Sequence, residues 1–231
     1  MTPRNTQYPT TRSGGNLNSL PHTSIPPVPP GWDPNAGWDN WPWDAVPALP
    51  PLLLADGSGL AQQQTAVRIC YDADALYVRF DCADRDIWGT FTRRDDPIYD
   101  EEVVEVFIGA GVETPTQYAE IEISPNGVLF DAWVRNPHGE RTQMTIDTGW
   151  SWPAIRWHAE RIDGEKRWWA ALVLPWAGIS PAGPLPKVWR ANFYRIERPR
   201  DRAPEYSCWS STLTEPADFH KPARFGTLRI G

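Results

Sequence analysis

No run of about 18 apolar residues occurs in this chain of 231, so no segment reads as a helix that crosses a membrane. The first 30 residues also lack the apolar core of a secretory signal. A cytoplasmic location is the expectation, with an earlier start codon or another export route as the alternative. Basic residues are in deficit: 22 Lys and Arg face 29 Asp and Glu, for a net charge of −7. No basic block exists that would neutralise a phosphate backbone, so neither nucleic acid nor membrane is expected as a partner. The four histidines, His22, His138, His158 and His220, show no His-Glu-x-x-His or paired spacing, and a zinc centre has no support. Neither a Gly-x-Ser-x-Gly elbow nor a glycine-rich phosphate loop is present, and there is no internal repeat or long amphipathic helix.

Cysteine is scarce too, at three. Setting residues 65–71 against residues 76–82 about a turn at 72–75 pairs Cys70 with Tyr77 and Cys82 with Thr65. The two thiols then face opposite sides of a sheet, so free cysteines in a reducing compartment are expected.

Tryptophan, by contrast, is abundant at fourteen, and an indole is costly to leave exposed unless it packs or stacks. Residues 1–31, rich in Thr, Ser, Asn, Gly and Pro, read as a disordered tail, and residues 32–231 as a single domain. Trp32, Trp38, Trp41 and Trp43 follow one another among Pro, Gly, Asp and Asn, and read as an irregular aromatic segment covering one end of the core.

From there the chain alternates short strands and turns. The first hairpin, residues 65–82, puts Val67, Ile69, Val78 and Phe80 on one face and Arg68 and Arg79 on the other. A third, turning at Asp163-Gly164, gathers Trp157, Trp168, Ala170 and Leu172. The second is read as turning at Asn126-Gly127 through a two-residue loop. That register sends Ala119, Ile121, Ile123, Phe130 and Ala132 inward and leaves Tyr118, Glu120, Glu122, Asp131 and Trp133 together outside. Turn signals at this spacing predict an all-β fold, an antiparallel, jelly-roll-like β-sandwich of roughly ten strands.

The stretch Asp-Pro-Ile-Tyr-Asp-Glu-Glu-Val-Val-Glu-Val-Phe-Ile (96–108) carries the chemistry. At period two, Val104, Val106 and Ile108 point into a core while Val103, Glu105 and Phe107 point away. Carboxylates beside aromatic rings suit a sugar, which offers C–H faces for stacking and hydroxyls for charged acceptors. Asp95, Asp96, Asp100, Glu101 and Glu102 supply hard oxygen ligands that can hold Ca²⁺, although not at helix-flanked calcium-loop spacing. Paired carboxylates also raise a glycoside hydrolase, using Glu105 with Glu120 or Glu122. Met144 with a distant histidine raises a haem-binding sandwich, and a protein-binding scaffold is a further alternative.

The ordered series Thr-Ala-Val-Arg-Ile-Cys-Tyr-Asp (65–72), Leu-Tyr-Val-Arg-Phe (76–80), Tyr-Asp-Glu-Glu-Val-Val-Glu-Val-Phe-Ile (99–108), Trp-Ser (209–210) and Phe-Gly-Thr-Leu-Arg-Ile (225–230) resembles family 9 carbohydrate-binding modules. The resemblance implies a β-sandwich, commonly with structural calcium, that binds glycan ends without cleaving them and is often attached to glycoside hydrolases. It also implies two aromatic rings that sandwich a terminal sugar, here Tyr99 and Phe219, where the sugar-binding type usually has tryptophan. Glu105 matches the strand glutamate that accepts hydroxyl bonds, and Glu122 stands where that type has a base. Asn192 and Tyr194 match its remaining polar wall. Trp133 and Trp88 are reserve platforms. The expected partner is an oligosaccharide or polysaccharide end, the role a non-catalytic one in polysaccharide breakdown, and the one expected ion a structural Ca²⁺.

Overall fold

A computed structural model of the protein describes residues 19–180 and 184–231. Runs of alternating β-branched and aromatic residues become thirteen strands among the described residues. These are β1 (His22–Ile25), β2 (Leu53–Leu54), β3 (Thr65–Tyr71), β4 (Ala75–Ala83), β5 (Val103–Ala110), β6 (Gln117–Ile123) and β7 (Leu129–Arg135). There follow β8 (Thr145–Asp147), β9 (Arg156–Ile162), β10 (Arg167–Pro175), β11 (Val188–Glu197), β12 (Glu205–Cys208) and β13 (Gly226–Ile230). The larger sheet runs β1-β13-β11-β5-β6-β7-β8, with β12 and β2 attached beside β11, and the smaller runs β3-β4-β10-β9. All pairings are antiparallel except that of β1 with β13. The antiparallel sandwich is as expected from the sequence. The strands beyond ten are short ones, β1, β2 and β8 among them, which have too few residues to show a period.

The sheets face each other across one apolar layer, in which Val67, Ile69, Val78 and Phe80 meet Val104, Val106, Ile108 and Ile121. Each such side chain contributes about 1.5–3 kcal/mol by leaving water. Two further apolar layers lie outside the sandwich. On the outer face of the small sheet, Trp41, Trp43 and Val46 cover Cys70, Tyr77 and Trp169. The tryptophan segment therefore roofs a sheet face rather than one end of the core. On the outer face of the large sheet, Phe107, Tyr118, Phe130, Tyr194, Phe219 and Phe225 form the third layer.

The first hairpin has the register read from the sequence, with Cys70 opposite Tyr77 and Thr65 opposite Cys82. Its turn is tight because Asp72 Oδ1 accepts the backbone N–H groups of Asp74 and Ala75, both at 2.9 Å. All three cysteines are free and buried. Burial pushes each thiol up to about 12. Since the thiolate is the nucleophile, the folded protein is expected to resist iodoacetamide at about pH 8 and to take up three labels once denatured. Mass spectrometry reads the outcome, and a label on the native chain would contradict the packing.

The second hairpin differs from expectation by one residue. Ser124 pairs with Val128 through Ser124 N–H donating to Val128 O at 3.0 Å, and Gly127 sits at φ +78°. Residues 125–127 thus form a three-residue loop with glycine in the left-handed position, not a two-residue turn. Ile123 consequently pairs with Leu129, Ile121 with Asp131 and Ala119 with Trp133. A one-residue slip reverses every side chain of β7. Phe130 and Ala132 lie on the outer face with Glu122 and Glu120, whereas Asp131 and Trp133 turn toward the inter-sheet side.

The tail expectation also changes. Residues 1–18 lie outside the described residues, but His22–Ile25 is a strand, and Val28 N–H donates to Tyr71 O at 2.8 Å. The ordered unit therefore begins before residue 22 rather than at 32. The Phe-Gly step at the start of β13 has a steric cause: a methyl on Gly226 would overlap the Trp209 ring and lie 2.8 Å from Pro21 O. Gly226→Ala is expected to destabilise the fold by about 1–3 kcal/mol in urea denaturation, because the buried indole has no room to yield.

Candidate functional site

Registry across the large sheet builds the outer-face site in two rows. Tyr194, Glu105, Glu122 and Phe130 stand side by side on β11, β5, β6 and β7, and Asn192, Phe107, Glu120 and Ala132 form the next row. Glu105, Glu120 and Glu122 are each no more than 5% exposed, and their carboxylate oxygens lie within 4.8 Å of one another. Acids placed directly opposite repel. Burial, then the neighbouring Glu120 charge, holds Glu105 well above the usual carboxylate range. Burial with the Glu105 and Glu120 charges does the same to Glu122, and burial pushes Glu120 up to about 7. The outward acids of β5 and β6 are thus enclosed rather than solvated.

Both ring positions taken from the resemblance border this triad. Tyr99 lies in the single turn Ile98–Asp100, anchored by fully buried Ile98, and its ring is 42% exposed. It meets Phe130 edge-on at 5.6 Å, and Phe130 is the cross-strand partner of Glu122. Phe219 is 7% exposed and stacks on Tyr194 at 4.2 Å, and Tyr194 is the cross-strand partner of Glu105. One face of Phe219 is therefore already covered, while Tyr99 offers the more open ring.

Asn192 and Tyr194 share the face as expected, yet their polar atoms hold the loop that carries Phe219. Asn192 Nδ2 donates to Ser210 O at 2.8 Å and its Oδ1 accepts Ser210 N–H at 2.9 Å. Tyr194 OH donates to Phe219 O at 3.0 Å. Trp133 is not part of the site. It packs at the edge of the inter-sheet layer, with Trp150 at 5.5 Å and its Nε1 donating to Gln117 Oε1 at 3.1 Å. Asp131, its neighbour on that side, is buried and receives two bonds from Arg94, at 2.6 and 3.1 Å. Trp88 lies elsewhere, its Nε1 donating to Arg198 O at 2.6 Å.

Phe130 and His220 belong to the site and were missed. Phe130 is hidden by the turn length. His220 is adjacent to Phe219 in sequence, but only the loop's return over the sheet brings its Nε2 to 3.8 Å from Glu120 Oε1. Burial, followed by the Arg141 charge, lowers His220 to about 4. Its Nδ1 lies 2.9 Å from Tyr118 OH, which is also 4.0 Å from Met144 Sδ. The sequence's histidine and methionine thus converge on one phenol.

A second acid group lies where the two sheets meet. Asp84 follows β4, Glu102 precedes β5 and Glu197 ends β11, and their oxygens also lie within 4.8 Å of one another. Arg195 is fully buried among them and donates to Asp84 Oδ2 at 2.8 Å and to Ala83 O at 2.6 Å. Burial, then the Asp84 charge, pushes Glu102 up to about 9. The acidic loop does not form one cluster as expected. Asp96 accepts Arg93 N–H, Glu101 accepts Thr90 N–H, Asp95 accepts Asp131 N–H, and only Glu102 joins this group.

A two-sheet sandwich that sets aromatic rings around polar groups on one sheet face belongs to the class of β-sandwich proteins with a candidate ligand-binding face. The model of carbohydrate-binding family 9 matches residues 60–230, and the chain belongs to that family. An extracellular protein of Arthroderma benhamiae is 29% identical over 164 residues, which cover 68% of this chain and 74% of that one. A Bacteroides uniformis protein proposed to bind carbohydrate has a similar structure, with a TM-score of 0.73 at 18% identity over 92% of this chain and 100% of its own. A family 9 module from Caldicellulosiruptor kristjanssonii, solved with glucose and with cellotriose, gives a TM-score of 0.59 at 12% identity. Those matches cover 91% of this chain and 96% and 93% of the module chains.

Proposed function

We propose that the protein binds the end of an oligosaccharide or polysaccharide, without cleaving it, on the outer face of the large sheet. The observation that carries this is the convergence of Tyr99 and Phe219 on one carboxylate triad, each through a ring that is the cross-strand neighbour of an acid. Family membership and the glucose and cellotriose complexes of the Caldicellulosiruptor module support the ligand class. Tyr99 stacks on a sugar ring, Phe219 bounds the site, and the triad takes up the polar side of the ligand, while Asn192 and Tyr194 position the Phe219 loop. A role beside polysaccharide-degrading enzymes follows from the family resemblance.

The geometry favours binding over hydrolysis. A glycosidase keeps its two carboxyl groups about 5 Å or more apart, on either side of the sugar bond. Glu105, Glu120 and Glu122 instead lie side by side on adjacent strands.

The structural calcium implied by the family resemblance fits the inter-sheet group. Glu102 Oε2 and Glu197 Oε1 are buried without a hydrogen-bond partner, and all donors there are hard oxygens. Asp84, Glu102 and Glu197 would hold the ion, which would complement the charge of Arg195 and tie the ends of β4, β5 and β11 together.

Stacking and charge-assisted bonds of about 1 kcal/mol each lead to an expected affinity in the micromolar to millimolar range. A glycan array probed with wild type and Tyr99→Ala tests the site. Binding of glycan ends by wild type alone, without turnover of aryl glycosides, is the expected result. Equal binding by both would displace the site, and turnover lost in Glu105→Gln would replace the reading with an enzymatic one.

A further inference from the structure

The triad beneath the rings is under-satisfied for a purely protein structure. Glu120 Oε2 and Glu122 Oε2 are buried with no hydrogen-bond partner, although a buried carboxylate oxygen ordinarily finds one. Among the described residues no lysine or arginine pairs with Glu105, Glu120 or Glu122, and the single ion-pair neighbour is His220 Nε2, 3.8 Å from Glu120. The contrast with the inter-sheet group is direct, since there Arg195 supplies a buried positive charge. Three acids from two adjacent strands thus converge where, among the described residues, no lysine or arginine makes ion-pair contact, and Arg141, paired with Asp218, reaches Glu120 only through its longer-range charge.

We propose that Glu105, Glu120 and Glu122 hold a divalent cation, Ca²⁺, at the floor of the glycan site, and that hydroxyls of the bound sugar complete its coordination. The donor set is all carboxylate oxygen, which suits a hard ion and not a thiophilic one. Ca²⁺ takes about six to eight oxygens in irregular arrangements, whereas Mg²⁺ demands a regular octahedron and gives up its own water reluctantly. The ion would do there what a basic side chain does in a conventional sugar site, by converting a repulsive acid floor into an acceptor of hydroxyl oxygens. The ion site stands on the triad alone, and only the sugar's part in its coordination rests on the function proposed above.

The test counts ions first and glycan second. Chelator-treated wild type, Glu122→Gln and Glu102→Gln are dialysed to equilibrium against Ca²⁺, and bound metal is measured by mass spectrometry. Glu122→Gln is expected to lose one equivalent relative to wild type while keeping the native circular dichroism spectrum. Glu102→Gln is expected to lose the inter-sheet equivalent instead, so that the double variant Glu102→Gln/Glu122→Gln loses two. Should Glu122→Gln fail to fold, Glu120→Gln carries the same count. Equal calcium in wild type and the triad variants overturns the ion site whatever the glycan result. With the ion established, chelator is expected to weaken wild-type glycan binding by about tenfold or more. Glycan binding indifferent to chelator overturns the bridging role, and no glycan binding with or without Ca²⁺ overturns the function while the ion count still stands.

Discussion

Arg195→Met is expected to destabilise the fold by about 3–5 kcal/mol, measured by urea denaturation at neutral pH in the presence of chelator, because it leaves buried Asp84 without its ion-pair partner. Arg195 and Asp84 both have fully buried side chains, joined at 2.8 Å, and Asp84 Oδ2 additionally accepts Trp168 Nε1 at 3.0 Å. Glu102 Oε2 and Glu197 Oε1 lie beside them without a protein donor, while Glu102 Oε1 accepts Arg198 N–H at 3.2 Å. Methionine matches the arginine stem in volume, so the loss isolates the charge and its bonds from packing. Arg195→Lys keeps a charge but gives up the fork that spans Asp84 and Ala83 O, and an intermediate cost is expected. A cost below about 1 kcal/mol for Arg195→Met would show that the acids there need no countercharge.

Tyr99→Ala is expected to weaken glycan binding by about tenfold, or about 1.4 kcal/mol by calorimetry, with little change in melting temperature. Its ring is 42% exposed and the turn that carries it is anchored by Ile98, so the substitution removes a stacking surface without opening the core. Tyr99→Trp enlarges the platform and is expected to bind more tightly than wild type. Tyr99→Phe should bind nearly as well as wild type, since the phenyl face is retained. Phe219→Ala is a poorer probe, because the stack on Tyr194 makes it a packing residue as well.

The first hairpin could be read from the sequence because its turn is short and Asp72 closes it with its own side chain, leaving one register. The inward and outward faces of β5 were equally legible, since Val104, Val106 and Ile108 alternate without interruption with Val103, Glu105 and Phe107. The second hairpin was not, because Asn-Gly serves two loop lengths and the deciding contacts, Ser124 with Val128, become visible only in three dimensions. That single residue moved Trp133 and Asp131 out of the site and brought Phe130 in. Period-two reading also could not tell that the outward face would be roofed, since the covering segments, residues 90–101 and 209–225, carry no regular pattern of their own. Glu105 and Glu122 lie on the outward face where the period puts them, and the covering segments enclose them.

The four residues of β1 have a consequence for how the molecule behaves toward copies of itself. His22–Ile25 lies along β13 in parallel register, from His22 opposite Thr227 to Ile25 opposite Ile230. Without it, the last strand, with Leu228 and Ile230 facing the core, would end the large sheet as a bare edge. Unpaired strand edges recruit strands from other chains. A chain trimmed to begin at residue 32 would keep the acid triad and both rings, yet present a sticky margin at the far side of the sheet. The short N-terminal strand is in this sense a guard against self-association.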